Sequence, residues 1–92
     1  MANENEIRTQ IRQFVINNFL LGDAEAMLKD KESFLESGTI DSTGVLEVVT
    51  FLEETFGFMV EDLELLPENL DSVDNLVRYV GNKKMGAAKH AA

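Results

Sequence analysis

The chain of 92 residues contains no cysteine, and it has only one histidine and one proline. The lack of cysteine excludes disulfides, thiolate metal ligands and any reaction that uses a protein thiol as nucleophile. Sulfur chemistry at this protein would therefore need a thiol from outside the chain. The single histidine, His90, lies near the C-terminus, far along the chain from any candidate nucleophile, so a serine-histidine catalytic pair is not expected. We predict that the protein is not an enzyme.

Long hydrophobic runs are absent as well, since none approaches the ~20 residues needed to cross a bilayer. The first residues also lack the basic start and apolar stretch of a signal peptide, so we predict a cytoplasmic protein outside the membrane. A chain of this size has room for one hydrophobic core. We expect a monomeric helical domain over residues 1–82 and a flexible basic tail over residues 83–92.

Basic residues are missing from the middle of the chain. Between Asp41 and Asp74 there is no lysine or arginine, and the net charge of the whole chain is −9. Such a field repels nucleic acid and anionic lipid, and it attracts proteins with basic surfaces. We therefore expect basic protein partners, and neither nucleic acid nor a membrane. An acidic surface also keeps a small protein in solution. Charge alone therefore does not distinguish a partner-binding surface from one that only maintains solubility.

Helical periodicity is the main structural signal in the sequence. Three helices are predicted, from Asn5 to Leu20, from about Ser42 to Gly57, and from a cap at Asp71 to Gly81. Residues 22–40 are predicted to form a long ordered loop with about one helical turn, and residues 61–66 a brief connecting helix. The predicted fold class is an all-α bundle of three to four helices, with its long loop between the first and second helices.

Apolar spacing gives each predicted helix one buried face. The side chains expected in the core are Ile7, Ile11, Phe14, Val15, Phe19, Val45, Val48, Val49, Leu52, Phe56, Val73, Leu76, Val77 and Val80. The opposite face of the second helix is acidic around one aliphatic residue and consists of Leu46, Glu47, Thr50, Glu53 and Glu54. We expect this face to bind a basic partner, while Phe51, between the two faces, is predicted to lie in the core.

The pair Asp41-Ser42 lies at the start of the second helix. The unpaired N–H groups and partial positive charge of a helix N-terminus tolerate a phosphate ester, so Ser42 is a candidate modification site. Aspartate and serine are also common helix caps. The alternative is therefore that Asp41 or Ser42 only caps the helix.

Residues 40–57 begin Ile-Asp-Ser-Thr-Gly and end Leu-Glu-Glu-Thr-Phe-Gly, and they resemble the modification segment and second helix of acyl carrier proteins. The resemblance continues in residues 34–38 and 70–80 and covers residues 5–82. It implies that Ser42 carries 4′-phosphopantetheine, derived from coenzyme A, and that the thiol of this arm holds an acyl or aminoacyl group as a thioester. It also implies that Asp41 assists loading and that the acidic face meets the partner enzymes. These would be a phosphopantetheinyl transferase and acyl- or amino-acid-activating ligases or synthases with basic docking surfaces.

The sequence departs from the family at Thr43 and Gly44, where members commonly have leucine and then a polar or acidic residue. Glycine costs about 1 kcal/mol of helix propensity relative to alanine. We therefore expect either a looser start of the second helix or a partner that approaches the backbone closely. The departures favour a specialised, free-standing carrier over the general carrier of fatty-acid synthesis.

One other interpretation of the function remains open from the sequence. The chain is alternatively a non-enzymatic interaction module, in which the acidic helix binds a basic partner and Ser42 is only a cap. The neighbouring carboxylates Glu61, Asp62 and Glu64 lack the spacing of a calcium-binding loop, so we predict no metal site there.

Overall fold

Helices make up most of the chain, and no β-strand occurs in the ranges that the structure describes. The computed structural model describes residues 3–27 and 29–91, with side chains as far as residue 84. Three long helices and two single-turn helices follow in the order α1 (Glu4–Phe19), α2 (Phe34–Ser37), α3 (Gly44–Phe56), α4 (Pro67–Leu70) and α5 (Val73–Ala91). Short 3₁₀ turns lie at Ala24–Ala26 and Asp62–Glu64. The all-α prediction, with a long loop between the first two main helices, is confirmed.

The core lies where the apolar faces of α1, α3 and α5 meet. α1 packs along α5, and α4 packs against α5 as well. The fully buried side chains include Ile11, Val15, Leu52, Val73, Leu76 and Val80. All four predicted core positions of α5 are buried, whereas Phe14, Phe19, Val45 and Val49 are half-buried and pack against the core from its edge.

Glycine ends α3 as predicted, because Gly57 adopts the left-handed conformation with φ 76°. The chain leaves α1 through a left-handed turn formed by Leu21 (φ 54°) and Gly22 (φ 83°). Within the described chain, no helix combines the length and the apolar character that crossing a membrane requires.

The prediction that the last helix ends at Gly81 is wrong, since α5 continues through this glycine to Ala91. A single glycine lowers helix propensity without stopping a helix that other contacts support. Here Lys83 Nζ lies 2.9 Å from Glu64 Oε1, and Lys84 Nζ donates to the carbonyl oxygen of Phe56 at 3.3 Å. The start of the predicted tail is thus helical and in contact with the domain. The side chains of residues 85–91 and the whole of Ala92 lie outside the described residues, so flexibility there stays a prediction.

Asp71 does not cap α5, contrary to expectation. The hydroxyl of Ser72 does so, by accepting a hydrogen bond from the N–H of Asn75 at 3.1 Å. The carboxylate of Asp71 instead accepts hydrogen bonds from the Ser33 hydroxyl and from the N–H of Leu35. It therefore connects the start of α2 to the segment that precedes α5.

The link between α3 and α5 also differs from expectation. The helical turn predicted over residues 61–66 covers only Asp62–Glu64, and a separate turn, α4, begins at Pro67. Proline suits the first position of a helix, because its missing N–H would have no partner there in any case. Pro67 thus begins a helix as well as disfavouring one before it.

The long loop between α1 and α3 is ordered, and charged side chains of α1 hold it. Arg8 Nη1 lies 2.6 Å from Asp30 Oδ2 and 2.5 Å from Asp74 Oδ1, and Arg12 Nη1 lies 2.5 Å from Asp30 Oδ1. The hydrogen bond to Asp74, together with the one to Asp30, raises the pKa of Arg8 above its ordinary value despite partial burial. One loop aspartate is therefore shared by two cations of α1.

Candidate functional site

Ser42 projects from the turn that leads into α3. Its side chain is exposed, whereas Ile40, two residues earlier, is buried at 2% exposure. In the described part of the chain no group forms a hydrogen bond with the Ser42 hydroxyl. The hydroxyl is therefore free to react with an incoming group.

Asp41, and not Ser42, caps α3. Its Oδ1 accepts a hydrogen bond from the N–H of Gly44 at 2.7 Å, and its carbonyl oxygen accepts one from the N–H of Val45 at 3.1 Å. The idea that Ser42 serves only as a helix cap is therefore wrong for this serine. The cap is formed by the neighbouring residue, so the serine hydroxyl is not needed for it.

The start of α3 is tightly packed, contrary to the looser start that the sequence suggested. A Cβ atom placed on Gly44 would lie 2.9 Å from Phe19 Cε1 and 3.0 Å from Ile40 Cγ2. Gly44 is itself buried. The space that a side chain would occupy is thus filled by the ring of Phe19 at the end of α1.

A cavity of about 190 Å³ opens beside Ser42. Ser42 and Asp71 line it at polar positions. The remaining walls are apolar and consist of Phe34, Leu35, Ile40, Val45, Val48, Leu65, Leu66, Pro67 and Leu70. The sequence did not indicate a function for Leu65 and Leu66, although adjacent leucines directly after an acidic segment are a visible signal. They are 40% and 41% exposed and lie between solvent and cavity.

The predicted acidic face of α3 is largely exposed. Leu46 is 63% exposed, and Glu47, Thr50 and Glu54 are exposed too. Glu53 differs, because it is half-buried and its Oε2 accepts a hydrogen bond from the N–H of Val60 at 2.9 Å. Glu53 thus fixes the segment that follows α3, whereas Glu47 and Glu54 form no ion pair with any described residue.

α1 contributes aromatic residues beside this face, which the sequence reading did not anticipate. Phe14 stacks on Phe51 with ring centroids 4.1 Å apart and an angle of 14° between the ring planes. Phe51 was predicted to lie in the core, and it is half-buried and packs against the edge of the core. A shallow groove between α1 and α3 is lined by Phe14, Asn18, Leu46, Glu47, Thr50, Phe51 and Glu54.

The acidic cluster of residues 61–64 has contacts of its own. Glu64 Oε1 accepts hydrogen bonds from the N–H of Glu61 at 3.0 Å and from the Tyr79 hydroxyl at 3.0 Å, and it pairs with Lys83. Burial raises the pKa of Glu64, but these hydrogen bonds outweigh burial and hold the pKa below its ordinary value. The same burial and the bond to Glu64 raise the pKa of Tyr79. Glu64 thus attaches the link to α5.

The candidate site of this small helical protein is thus an exposed serine at the start of a capped, acidic helix, beside an apolar cavity. No family model matches the chain. An acyl carrier protein of Acidothermus cellulolyticus is 30% identical over 84 residues, which cover 91% of this chain and 95% of that protein. The chain belongs to the acyl carrier protein family. Members of this family are carriers rather than enzymes, and this protein is accordingly not an enzyme.

Proposed function

We propose that the chain holds an acyl or aminoacyl group as a thioester on a 4′-phosphopantetheine arm, which is joined to Ser42 through a phosphodiester. The observation that carries this proposal is the exposed Ser42 hydroxyl, to which no described group is bonded. Because the chain has no cysteine, the thiol of the thioester must come with the arm. The protein's contribution is to raise the effective concentration of the cargo at each enzyme that it visits.

The surroundings of Ser42 fit a phosphodiester. The backbone N–H groups of Ser42 and Thr43 donate to no described acceptor, and both precede the first turn of a helix of 13 residues. Such N–H groups and the positive end of the helix dipole stabilise an anion. Asp41 Oδ1 is engaged by the N–H of Gly44, while its second oxygen is bonded to no described group and can meet a loading enzyme.

The cavity beside Ser42 supports a cargo with an apolar part. Apolar cavities of about 150 Å³ accept a group of the size of benzene. A cavity of about 190 Å³ therefore has room for a short apolar segment of the cargo, close to the serine that would carry it. A cargo charged along its whole length would not suit these walls, since burying unpaired charge is costly.

The decisive experiment is to load the protein with phosphopantetheine and then to measure the mass of the intact protein. The protein is incubated with coenzyme A, Mg²⁺ and a promiscuous phosphopantetheinyl transferase, and the wild type is expected to gain the mass of one phosphopantetheine. Ser42→Ala should gain nothing. Thr43→Ala is the matched control, because it removes the adjacent exposed hydroxyl and should still be loaded.

An unmodified wild type with intact helical fold would contradict the carrier proposal. The acidic interaction module would then become the leading function. If Ser42→Ala were still loaded and Thr43→Ala were not, the arm would be attached to the hydroxyl of Thr43 and not to that of Ser42.

Partner enzymes are proposed to dock on the acidic face made of Leu46, Glu47, Thr50, Glu53 and Glu54. Two observations support this: Leu46 is exposed, and the carboxylates of Glu47 and Glu54 form no ion pair with a described residue. Charges at the rim of an interface steer the encounter, while a few apolar contacts give specificity. The double variant Glu47→Lys with Glu54→Lys should lower the rate of loading, and more strongly at low salt. Glu25→Lys with Glu68→Lys makes the same charge change at exposed sites elsewhere and should have a smaller effect. Equal effects of the two pairs would contradict docking on α3.

A further inference from the structure

The packing around Gly44 shows that this glycine is present for space and not for backbone conformation. Its φ is not positive, and it occupies the first position of α3, where any residue can adopt the required angles. A Cβ there would nevertheless come within 2.9 Å of Phe19 Cε1 and 3.0 Å of Ile40 Cγ2. Any larger residue would therefore have to displace the Phe19 ring and the Ile40 side chain.

The turn that carries Ser42 is fixed on both sides. On the N-terminal side, Ile40 is buried and its N–H donates to the carbonyl oxygen of Phe34 at 3.3 Å. On the C-terminal side, the N–H of Gly44 donates to Asp41 Oδ1 at 2.7 Å. Between these two anchors the described residues Asp41, Ser42 and Thr43 are exposed, and Asp41 is held by its bond to Gly44.

Phe19 is itself held in place by other aromatic rings. Its centroid lies 5.8 Å from that of Phe14 with the planes at 76°, the edge-to-face arrangement that aromatic pairs favour. Phe14 is in turn stacked on Phe51 of α3 at 4.1 Å. The ring of Phe19 therefore does not move away from Gly44 without breaking a further contact.

From this geometry we infer that Phe19 is a positioning residue for Ser42. Its ring fills the space above Gly44 and thereby fixes the capped turn from which the serine hydroxyl projects. The inference rests on the proposed function of Ser42, and it adds that α1, which carries no part of the modification segment, sets the position of the modified serine. The glycine at position 44, where the chain departs from the family, then provides the space that the Phe19 ring fills.

The test compares rates of loading by the phosphopantetheinyl transferase. Gly44→Ala should lower kcat/KM for the carrier by about tenfold, since small misplacements of a reacting group have large kinetic effects. If the start of α3 were loosely packed, Gly44→Ala would instead raise kcat/KM for loading, because alanine has a higher helix propensity than glycine. Gly81→Ala is the matched control: it is also a helical glycine, a Cβ there lies within 4 Å of no described atom outside its own helix, and loading should be unchanged.

Second-site rescue separates positioning from general destabilisation. Combining Gly44→Ala with Phe19→Leu makes room for the new methyl group and should restore loading to within about threefold of the wild type. Phe19→Leu alone leaves space above Gly44, and it should accelerate hydrogen exchange of the Gly44 amide while exchange of the buried Val80 amide stays unchanged. Hydrogen exchange in Phe19→Leu therefore tests the inference even if Gly44→Ala does not fold.

Several results would overturn the inference. The inference would be wrong if Gly44→Ala were loaded as fast as the wild type, or if the double variant were loaded no faster than Gly44→Ala. It would also be wrong if Phe19→Leu left hydrogen exchange of the Gly44 amide unchanged. Failure of the wild type to be loaded is a different result, since it would remove the proposed function of Ser42 and not the packing.

Discussion

The two halves of α1 contact the rest of the chain through different interactions. In the N-terminal half, Arg8 and Arg12 reach Asp30 of the long loop, and Arg8 also reaches Asp74 of α5. In the C-terminal half, Phe14 and Phe19 pack on α3 and on the turn that carries Ser42. The loop is thus attached by charge and the serine turn by aromatic packing.

This difference has a physical consequence for how the two regions respond to solution conditions. Ion pairs between partly exposed side chains weaken as salt screens them, whereas the burial of aromatic surface does not. The side chains of Arg8 and Asp30 are 26% and 30% exposed, so water and ions reach their pair. The serine turn should therefore keep its position under conditions that loosen the loop.

The largest effect is expected for Phe14→Ala, which removes the stacked partner of Phe51 and the edge contact of Phe19. Truncating a fully buried phenylalanine costs about 3–5 kcal/mol, and Phe14 is half-buried, so a loss of about 2–3 kcal/mol of unfolding free energy is expected. Urea unfolding at low and at high salt measures it, and the loss should be the same at both.

Asn17→Ala is the control for this change, since Asn17 is an exposed α1 residue whose side-chain oxygen accepts a hydrogen bond from Gln13 and which bonds no other described side chain. It should cost less than about 0.5 kcal/mol. A loss below about 1 kcal/mol for Phe14→Ala would show that aromatic packing does not hold α1 on α3.

A smaller effect is expected for Asp30→Asn, which removes the charge shared by Arg8 and Arg12. Ion pairs that are neither buried nor fully exposed are intermediate in strength, so we expect a loss of about 1–2 kcal/mol at low salt. The loss should shrink at about 1 M salt, where the Debye length is short. Unfolding free energies measured across a salt series test this dependence.

Asp23→Asn provides the matched control, because Asp23 lies in the same loop, caps a 3₁₀ turn and forms no ion pair with a described residue. Asparagine caps helices as well as aspartate does, so this change should be nearly neutral at every salt concentration. A salt-independent loss for Asp30→Asn would mean that hydrogen-bond geometry, and not charge, attaches the loop.

Local patterns in the sequence predicted the helices, but not the contacts that fix the site. Apolar spacing places Val73, Leu76 and Val80 in the core, because burial follows from helix geometry alone. The predicted end at Gly81 failed because Lys83 bonds Glu64, a contact between residues far apart in the chain. No local rule reports such contacts.

The same reason explains what could be predicted of the site. Asp41 and Ser42 were identified from their position before an acidic helix, which is local information. The packing of Phe19 on Gly44 could not be, since propensity registers only a missing side chain and not the ring from α1 that fills the space. The hydrogen bond between Glu53 and Val60 could not be predicted either, because it depends on how the chain turns after α3.

The smallest effect is expected for Glu64→Gln, which changes an ionic contact at α5, away from α1. Glu64 has a lowered pKa in the folded protein, so its charged form contributes stability above the ordinary value of 4.5, and that stability is lost as pH falls through the lowered pKa. Since the Glu64 side chain is 27% exposed, the difference from the wild type should be about 0.5–1 kcal/mol at neutral pH and should be smaller at pH 3, below the ordinary pKa of the carboxyl. Unfolding free energies measured across this pH range test it.

Glu68→Gln controls for loss of an acidic charge, since Glu68 is exposed and its carboxylate bonds no described group. It should change the unfolding free energy by less than about 0.5 kcal/mol at either pH. If Glu64→Gln instead lost the same free energy at both ends of the range, the carboxylate would be acting through hydrogen bonds that the amide cannot replace. The contrast between charge and packing would then be confined to α1, because the contact at α5 would depend on bond geometry and not on charge.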